Sequence, residues 1–342
     1  MPQLDILLQL IENLPGYANL LEQIKQKSGV SAIVLDAARP YLVAALYERL
    51  KAPVLMVTAQ PEHARQLYEQ LTAWSGSGKV MLFPEPDVLP YERLTPESTT
   101  GMERTQVLSA LVNCGNGGDK TPPPLVVASV SALMSRTAPL KDFAGACHAV
   151  KLGMSIDPFK LLGNWEVMGY RLQNTVEIPG TMSHLGGIIY VFQLTAPQPV
   201  RLEFFGDSID SLRIFDPATQ RSITNIMSID ISPATELLAL WRLDKQDLEG
   251  KLNNLDFKGC TAEVKEQFRQ DREMLLGRQL TRDAQFYAPL FNDGRLTDYF
   301  PENSLFVLDE PVTVAQVAGE LDAEAVQLRS EKIERGELPV NF

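Results

Sequence analysis

Cysteine, histidine and long apolar runs are all scarce in this 342-residue chain, and each scarcity removes a class of function. Cys114, Cys147 and Cys260 are the three cysteines, and their isolation fits neither a disulfide framework nor a zinc pattern. His63, His148 and His184 are equally scattered, so no metal is expected. No window approaches 18 uninterrupted apolar residues, which leaves no helix-length membrane span. The opening stretch, MPQLDILLQLIENLPGYANLLEQ, lacks a basic front and reads as an amphipathic helix, not a signal peptide. A cytoplasmic protein is expected. Positive charge is also short, with 31 Lys and Arg against 43 Asp and Glu, a net of −12. Such a surface repels phosphate backbones, so strong intrinsic DNA binding is not expected and a protein partner is.

What the chain does contain is an alternation of helix and strand over its first third. Residues 16–28, 38–50, 60–75 and 99–114 have helical spacing, and SAIVLD (31–36), PVLMVTA (53–59) and KVMLFPE (79–85) are apolar runs of strand length. Residues 113–124 form a loop by composition, and LVVASVSALMS (125–135) reads as a buried strand entering a helix. This order predicts a parallel, doubly wound sheet. Near residue 150 the pattern changes to short strands separated by turn signals: GGIIYVFQL, PVRLEFFG, DSLRIFD and NIMSIDISP. They predict a small antiparallel sheet. Helices return after about residue 238, and SLFVLDE (304–310) supplies a last strand before a helix. The expected organisation is one α/β domain split into 1–147 and 239–342, with an antiparallel α+β domain, 148–238, inserted.

The run AWSGSGKVM (73–81) poses a chemical question, because GSGK looks like half of a phosphate-binding loop. A working loop leaves a strand and opens a helix, so that backbone N–H groups and the helix dipole converge on the anion. Here the order is reversed, and Val80 stands where the magnesium-binding hydroxyl belongs. The run reads as a glycine-rich helix stop. After the predicted first strand, where an α/β motor carries its loop, the chain has Asp36, Ala37, Ala38, Arg39 and Pro40, with no glycine and no Lys-Ser/Thr pair. Yet Asp309 and Glu310 look like the acidic pair that ends a motor strand and engages magnesium. Without a phosphate loop they have no nucleotide to serve. The two features together describe a degenerate helicase-like fold of the P-loop NTPase type, expected to work without a cofactor.

Three stretches carry a resemblance: PPLVVASVSALMSR (123–136), RLEFFGDSIDSLRIFDPATQRS (201–222) and YFPENSLFVLDEP (299–311). They resemble the bacterial nucleotide-excision repair protein UvrB, and more closely the UvrB-homology module of transcription-repair coupling factors. UvrB has an intact phosphate loop and a long tyrosine-rich hairpin. This chain has neither, and its PEPDVLPYERLTPESTTGMERT segment (84–105) offers only Tyr91. The resemblance therefore implies an N-terminal fragment of a coupling factor, non-catalytic in itself. It also implies UvrA as partner, and packing on the motor and RNA-polymerase-binding parts of a longer chain, where the ATP-dependent translocase resides.

In a strand, alternate side chains share a face. Pairing VRLEFF (200–205) with IDSLRIF (209–215) puts Leu202, Phe204, Leu212 and Ile214 inside, and Arg201, Glu203, Arg213, Phe205 and Phe215 on the opposite face. Arginines beside aromatics suit a protein interface, although a solvated face with cross-strand charge pairs uses the same residue types. What the resemblance implies, residue by residue, is that Arg171 and Arg213 face UvrA. At a further arginine position the chain has Leu185, with His184 beside it, and the next strand has Tyr190 and Gln193 where acidic and proline residues are usual. Leucine cannot replace forked guanidinium bonds. Two other readings stay open: a residual nucleotide- or DNA-dependent enzyme using Asp309 and Glu310, and a structural module that associates with itself.

Overall fold

The computed structural model describes residues 4–26, 29–76, 78–94, 98–115, 122–279, 281 and 283–342. Twelve strands lie among them. They are β1 (Val54–Thr58), β2 (Val80–Phe83), β3 (Leu125–Ser129), β4 (His148–Lys151), β5 (Arg171–Leu172), β6 (Thr181–Leu185), β7 (Ile188–Phe192), β8 (Val200–Phe205), β9 (Ser208–Phe215), β10 (Ser222–Asn225), β11 (Ser228–Ile231) and β12 (Leu305–Leu308). The chain divides into two units. One comprises Met1–Glu85, Ala110–Met134 and Tyr299–Glu320, and the other Pro86–Ser109, Ser135–Asp298 and Leu321–Phe342.

The first unit is built on a parallel sheet in the order β12-β1-β3-β2. Every residue of β1 and β3 is buried, as expected for strands covered on both faces. Val54, Met56, Leu125 and Val127 share a core with Val43 and Leu46 of the helix Arg39–Leu50 and Leu67 and Leu71 of the helix Pro61–Ser75. Pro61 occupies the first turn of its helix, where the missing N–H has no partner to lose. That helix stops at Gly76 (φ 85°), a left-handed conformation that glycine adopts without strain. Within the GSGK run, Ser77 lies outside the described residues, and Lys79 Nζ donates to Glu48 Oε1 at 2.7 Å. The run ends a helix and enters β2, as its order predicts.

Two expectations fail here. SAIVLD is not a strand: residues 29–35 pair with no other strand among the described residues, Ile33 is fully exposed and Leu35 is 82% exposed. Strand propensity is expressed only where a neighbour takes the backbone groups. Both edges of β1 are already taken, by β12 and β3, and the sheet ends at β12 and β2. The opening stretch is also not one helix. A 3₁₀ segment, Asp5–Asn13, is separated from the helix Pro15–Lys25 by Leu14 in extended conformation. Proline lacks the N–H needed to continue a helix and disfavours helical backbone at the preceding residue.

The second unit carries a six-stranded sheet in the order β10-β9-β8-β7-β6-β5, antiparallel except for the short β5–β6 pair. A separate antiparallel pair joins β4 to β11. One sheet face is apolar: Met182, Ile189, Val191, Val200, Leu202 and Leu212 are all buried. The helix Pro158–Val167 starts at Asp157, whose carboxylate accepts from Phe159 N and Lys160 N. Its Trp165 Nε1 donates to His148 Nε2 at 3.1 Å, while His148 Nδ1 lies 2.9 Å from Ala146 O. The imidazole proton is therefore on Nδ1. In the helical part of this unit, Phe268, Phe286 and Tyr287 pack together, and Arg93 closes over them. Its Nη1 reaches Asp271 Oδ2 at 2.6 Å and Asp283 Oδ2 at 2.7 Å, Nη2 donates to Tyr287 OH at 2.9 Å, and its guanidinium lies 3.9 Å from the Phe286 ring centre. Part of the 84–105 segment is thus pinned by one arginine; residues 95–97 of it lie outside the described residues.

Candidate functional site

Asp36–Pro40 and the Asp309–Glu310 pair belong to the first unit. Asp36–Ala38 form a single 3₁₀ turn, and the helix that follows begins at Arg39 with Pro40 in its first turn. The Arg39 side chain turns onto the end of β12. Its Nη1 is 2.8 Å from Asp309 Oδ1, and its Nη2 is 3.2 Å from Glu310 Oε1 and 2.7 Å from Asp36 Oδ1. His63 Nδ1 lies 3.5 Å from Asp309 Oδ2. Burial pushes the Asp309 carboxyl above its usual range, with Arg39 and then His63 pulling against that shift. Burial also opposes the Arg39 charge, but Asp309, Glu310 and Asp36 outweigh it and hold the guanidinium firmly protonated. Glu310 adopts φ 52°, an uncommon left-handed conformation for a glutamate. The acidic pair has a cation after all, supplied by Arg39. Spacing along the chain gave no sign of it.

The second candidate is the more open face of the six-stranded sheet. Two rows of cross-strand partners run over it: Ser183, Tyr190, Arg201, Arg213 and Asn225, and beside them Leu185, Ile188, Glu203 and Ser211. Arg201 and Arg213 face one another across β8 and β9, and both reach one carboxylate. Arg201 Nη2 is 3.1 Å from Glu203 Oε1 and Arg213 Nη2 is 3.6 Å from Glu203 Oε2. Arg201 Nη2 also donates to Ser222 Oγ at 3.1 Å. Phe205 is 83% exposed at the end of β8.

Three further expected residues are arranged differently: Phe215 is covered, His184 is on the opposite side, and Arg171 stands on the same face at its far edge strand. Phe215 shares the parity of the face but is fully buried, in a small cluster with Val176, Phe192 and Tyr190 that closes one end of the face. Strand alternation gives the direction of a side chain and not what covers it. His184 points to the opposite side from Leu185, in the row of the buried Ile189, Leu202 and Leu212, and meets Phe159 edge-on with ring centres 5.3 Å apart. Arg171 is exposed on β5, opposite Thr181. Four strand steps of about 4.8 Å each separate β5 from β9, so Arg171 and Arg213 stand roughly 19 Å apart across the sheet. They cannot hold the same partner group. Inside the hairpin, Ile209 is buried with Phe204 opposite it, because the register shifts between Glu203 and Phe204.

Residues 149–237 match the family described as the UvrB interaction domain. Transcription-repair-coupling factors of Bacillus subtilis (strain 168), Myxococcus xanthus and Escherichia coli (strain K12) are 27%, 31% and 27% identical to the chain over 91%, 86% and 79% of its length. The chain belongs to the UvrB-homology modules of transcription-repair-coupling factors. The aligned part is 27%, 25% and 23% of those three relatives, so the module spans about a quarter of their length.

The matched range of the module contains Arg171, His184, Leu185, Arg201, Glu203, Phe205, Arg213 and Phe215, and none of Asp36–Pro40, Asp309 or Glu310. Two features of the module went unread in the sequence. Ile188 joins Leu185 on the open face as its cross-strand partner. Arg104 and Glu236 form a buried pair, Nε to Oε1 at 2.5 Å and Nη2 to Oε2 at 3.1 Å. Among the described residues no helix is long and apolar enough to cross a membrane, and no group of three or more His, Cys, Asp or Glu could hold a metal ion.

Proposed function

We propose that this module is a docking platform for UvrA, carried by a longer coupling factor whose motor and RNA-polymerase-binding parts lie in other segments of the polypeptide. The observation that carries the reading is the open sheet face inside the matched range, where Arg201 and Arg213 share Glu203 beside the exposed Leu185 and Phe205. Guanidiniums next to aromatic and aliphatic groups are what interface cores favour. The first unit works as a helicase-like scaffold without nucleotide chemistry, because Arg39 stands against Asp309 and Glu310 where a metal–nucleotide complex would need them free. In the whole protein the module restrains the motor by packing on it. The inserted partner-binding domain is residues 148–238, with 1–147 and 239–342 as the two parts of the scaffold.

Titration of purified UvrA against this chain and an Arg213→Glu variant tests the reading. The parent should associate at micromolar concentration or tighter, and the variant at least tenfold more weakly. No association of the parent would remove UvrA. Equal affinity of the two proteins would move the site off this face.

A further inference from the structure

The open face changes character along its length. At one end it is sealed by Val176, Phe192, Phe215 and Tyr190. At the other end nothing of that kind covers it: Leu185 is 70% exposed and Phe205 83% exposed. Ile188 is the cross-strand partner of both Leu185 and Glu203, and Phe205 is two positions from Glu203 on the same strand. Leu185 precedes the turn Gly186–Gly187, which contributes no side chain to cover it, and Phe205 precedes the two-residue turn Gly206–Asp207. Between the two ends sits the arginine pair. Like charges directly opposite each other destabilise a sheet, and one carboxylate against two guanidiniums leaves an excess positive charge. The Nε atoms of both Arg201 and Arg213 are buried without a hydrogen-bond partner.

Building on the docking reading, we infer that the partner element has two parts of different chemistry: an apolar side chain that seats against Leu185, Ile188 and Phe205, and a carboxylate that meets the Arg201–Arg213 pair. The apolar part fixes position by excluding water from an otherwise uncovered hairpin end. The carboxylate brings the second negative charge that the pair lacks, through charge-assisted bonds. A phosphate backbone matches the arginines but not the apolar end. A second copy of this chain docked about a two-fold axis through the pair would set arginine against arginine. An acidic protein surface with one protruding apolar residue fits both halves.

Binding of UvrA to the parent, Leu185→Ser, Phe205→Ser and Arg213→Gln chains, each over a range of salt, tests the inference. Both serine variants replace exposed side chains, so their thermal midpoints should equal the parent's. Each should weaken binding at least tenfold and leave the salt dependence unchanged, whereas Arg213→Gln should weaken binding and flatten it. Parent-like affinity in both serine variants would overturn the apolar contact while leaving UvrA docking intact. A salt dependence unchanged by Arg213→Gln would overturn the carboxylate. A parent that does not bind UvrA would remove the docking reading and this assignment with it. A parent dimer that Leu185→Ser dissolves would replace the acidic partner by a second copy.

Discussion

Arg39 Nη1 lies 2.8 Å from Asp309 Oδ1, joining residues 270 positions apart at the end of β12. The contact makes Asp309 half of an internal ion pair. Removing one member of a buried pair leaves the other charge without compensation.

Arg39→Ala should therefore destabilise the chain by about 3 kcal/mol at neutral pH. Burial already holds the Asp309 carboxyl above its usual range, and losing Arg39 raises it further. An aspartate whose folded-state value is raised favours the fold when protonated. The cost of the substitution is then full above the folded value and disappears below the unfolded one, near ~3.9. Urea unfolding of parent and variant should converge as the pH falls from neutral towards about 4. A difference that stays constant over that range would assign the damage to lost packing of the arginine stem.

Magnesium-ATP should leave the unfolding midpoint where magnesium alone puts it. A ligand that binds the folded state at ~100 times its dissociation constant adds ~2.7 kcal/mol, which for a chain of this size moves the midpoint by roughly 4 °C. Calorimetry on the parent would detect that readily. A reproducible nucleotide-dependent rise would restore the enzyme reading and require Arg39 to vacate the acidic pair.

The sheet cores were legible because they are local: VLMVT and LVVAS are apolar runs of strand length, and they became β1 and β3. The switch to short alternating strands after residue 150 was equally readable, and it marks the six-stranded sheet. What failed was tertiary. SAIVLD has the composition of a strand but no partner, and Phe215 has the parity of an exposed residue but lies under Val176. The Arg39–Asp309 and Arg104–Glu236 pairs join segments 270 and 132 positions apart, beyond the reach of any spacing rule.

The unpaired state of residues 29–35 can be measured by hydrogen exchange. Backbone amides without ladder partners exchange through local fluctuations alone, whereas those of a buried central strand wait for larger openings. Amides of residues 31–35 should exchange orders of magnitude faster than those of Val54–Thr58 under native conditions. Comparable protection in the two segments would mean that SAIVLD joins a sheet after all.

Arg104 and Glu236 offer the sharpest test of how the second unit is held together. Arg104 belongs to the helix Ser98–Gly115, and Glu236 follows β11 at the end of the matched range. Both side chains are almost completely buried, and Asn292 Nδ2 donates to Glu236 O at 3.2 Å, bringing a third segment to the same point. Arg104→Ala leaves a buried carboxylate facing a cavity and should cost about 3–5 kcal/mol. The double variant Arg104→Met with Glu236→Leu removes both charges at similar volume and should recover most of that loss, since buried pairs are often matched by well-packed apolar groups. Chemical denaturation of the parent, the single variant and the double variant measures both quantities. If the double variant is as unstable as Arg104→Ala, the arginine acts through contacts other than its carboxylate partner, and the segments meeting at Asn292 must be held by packing instead.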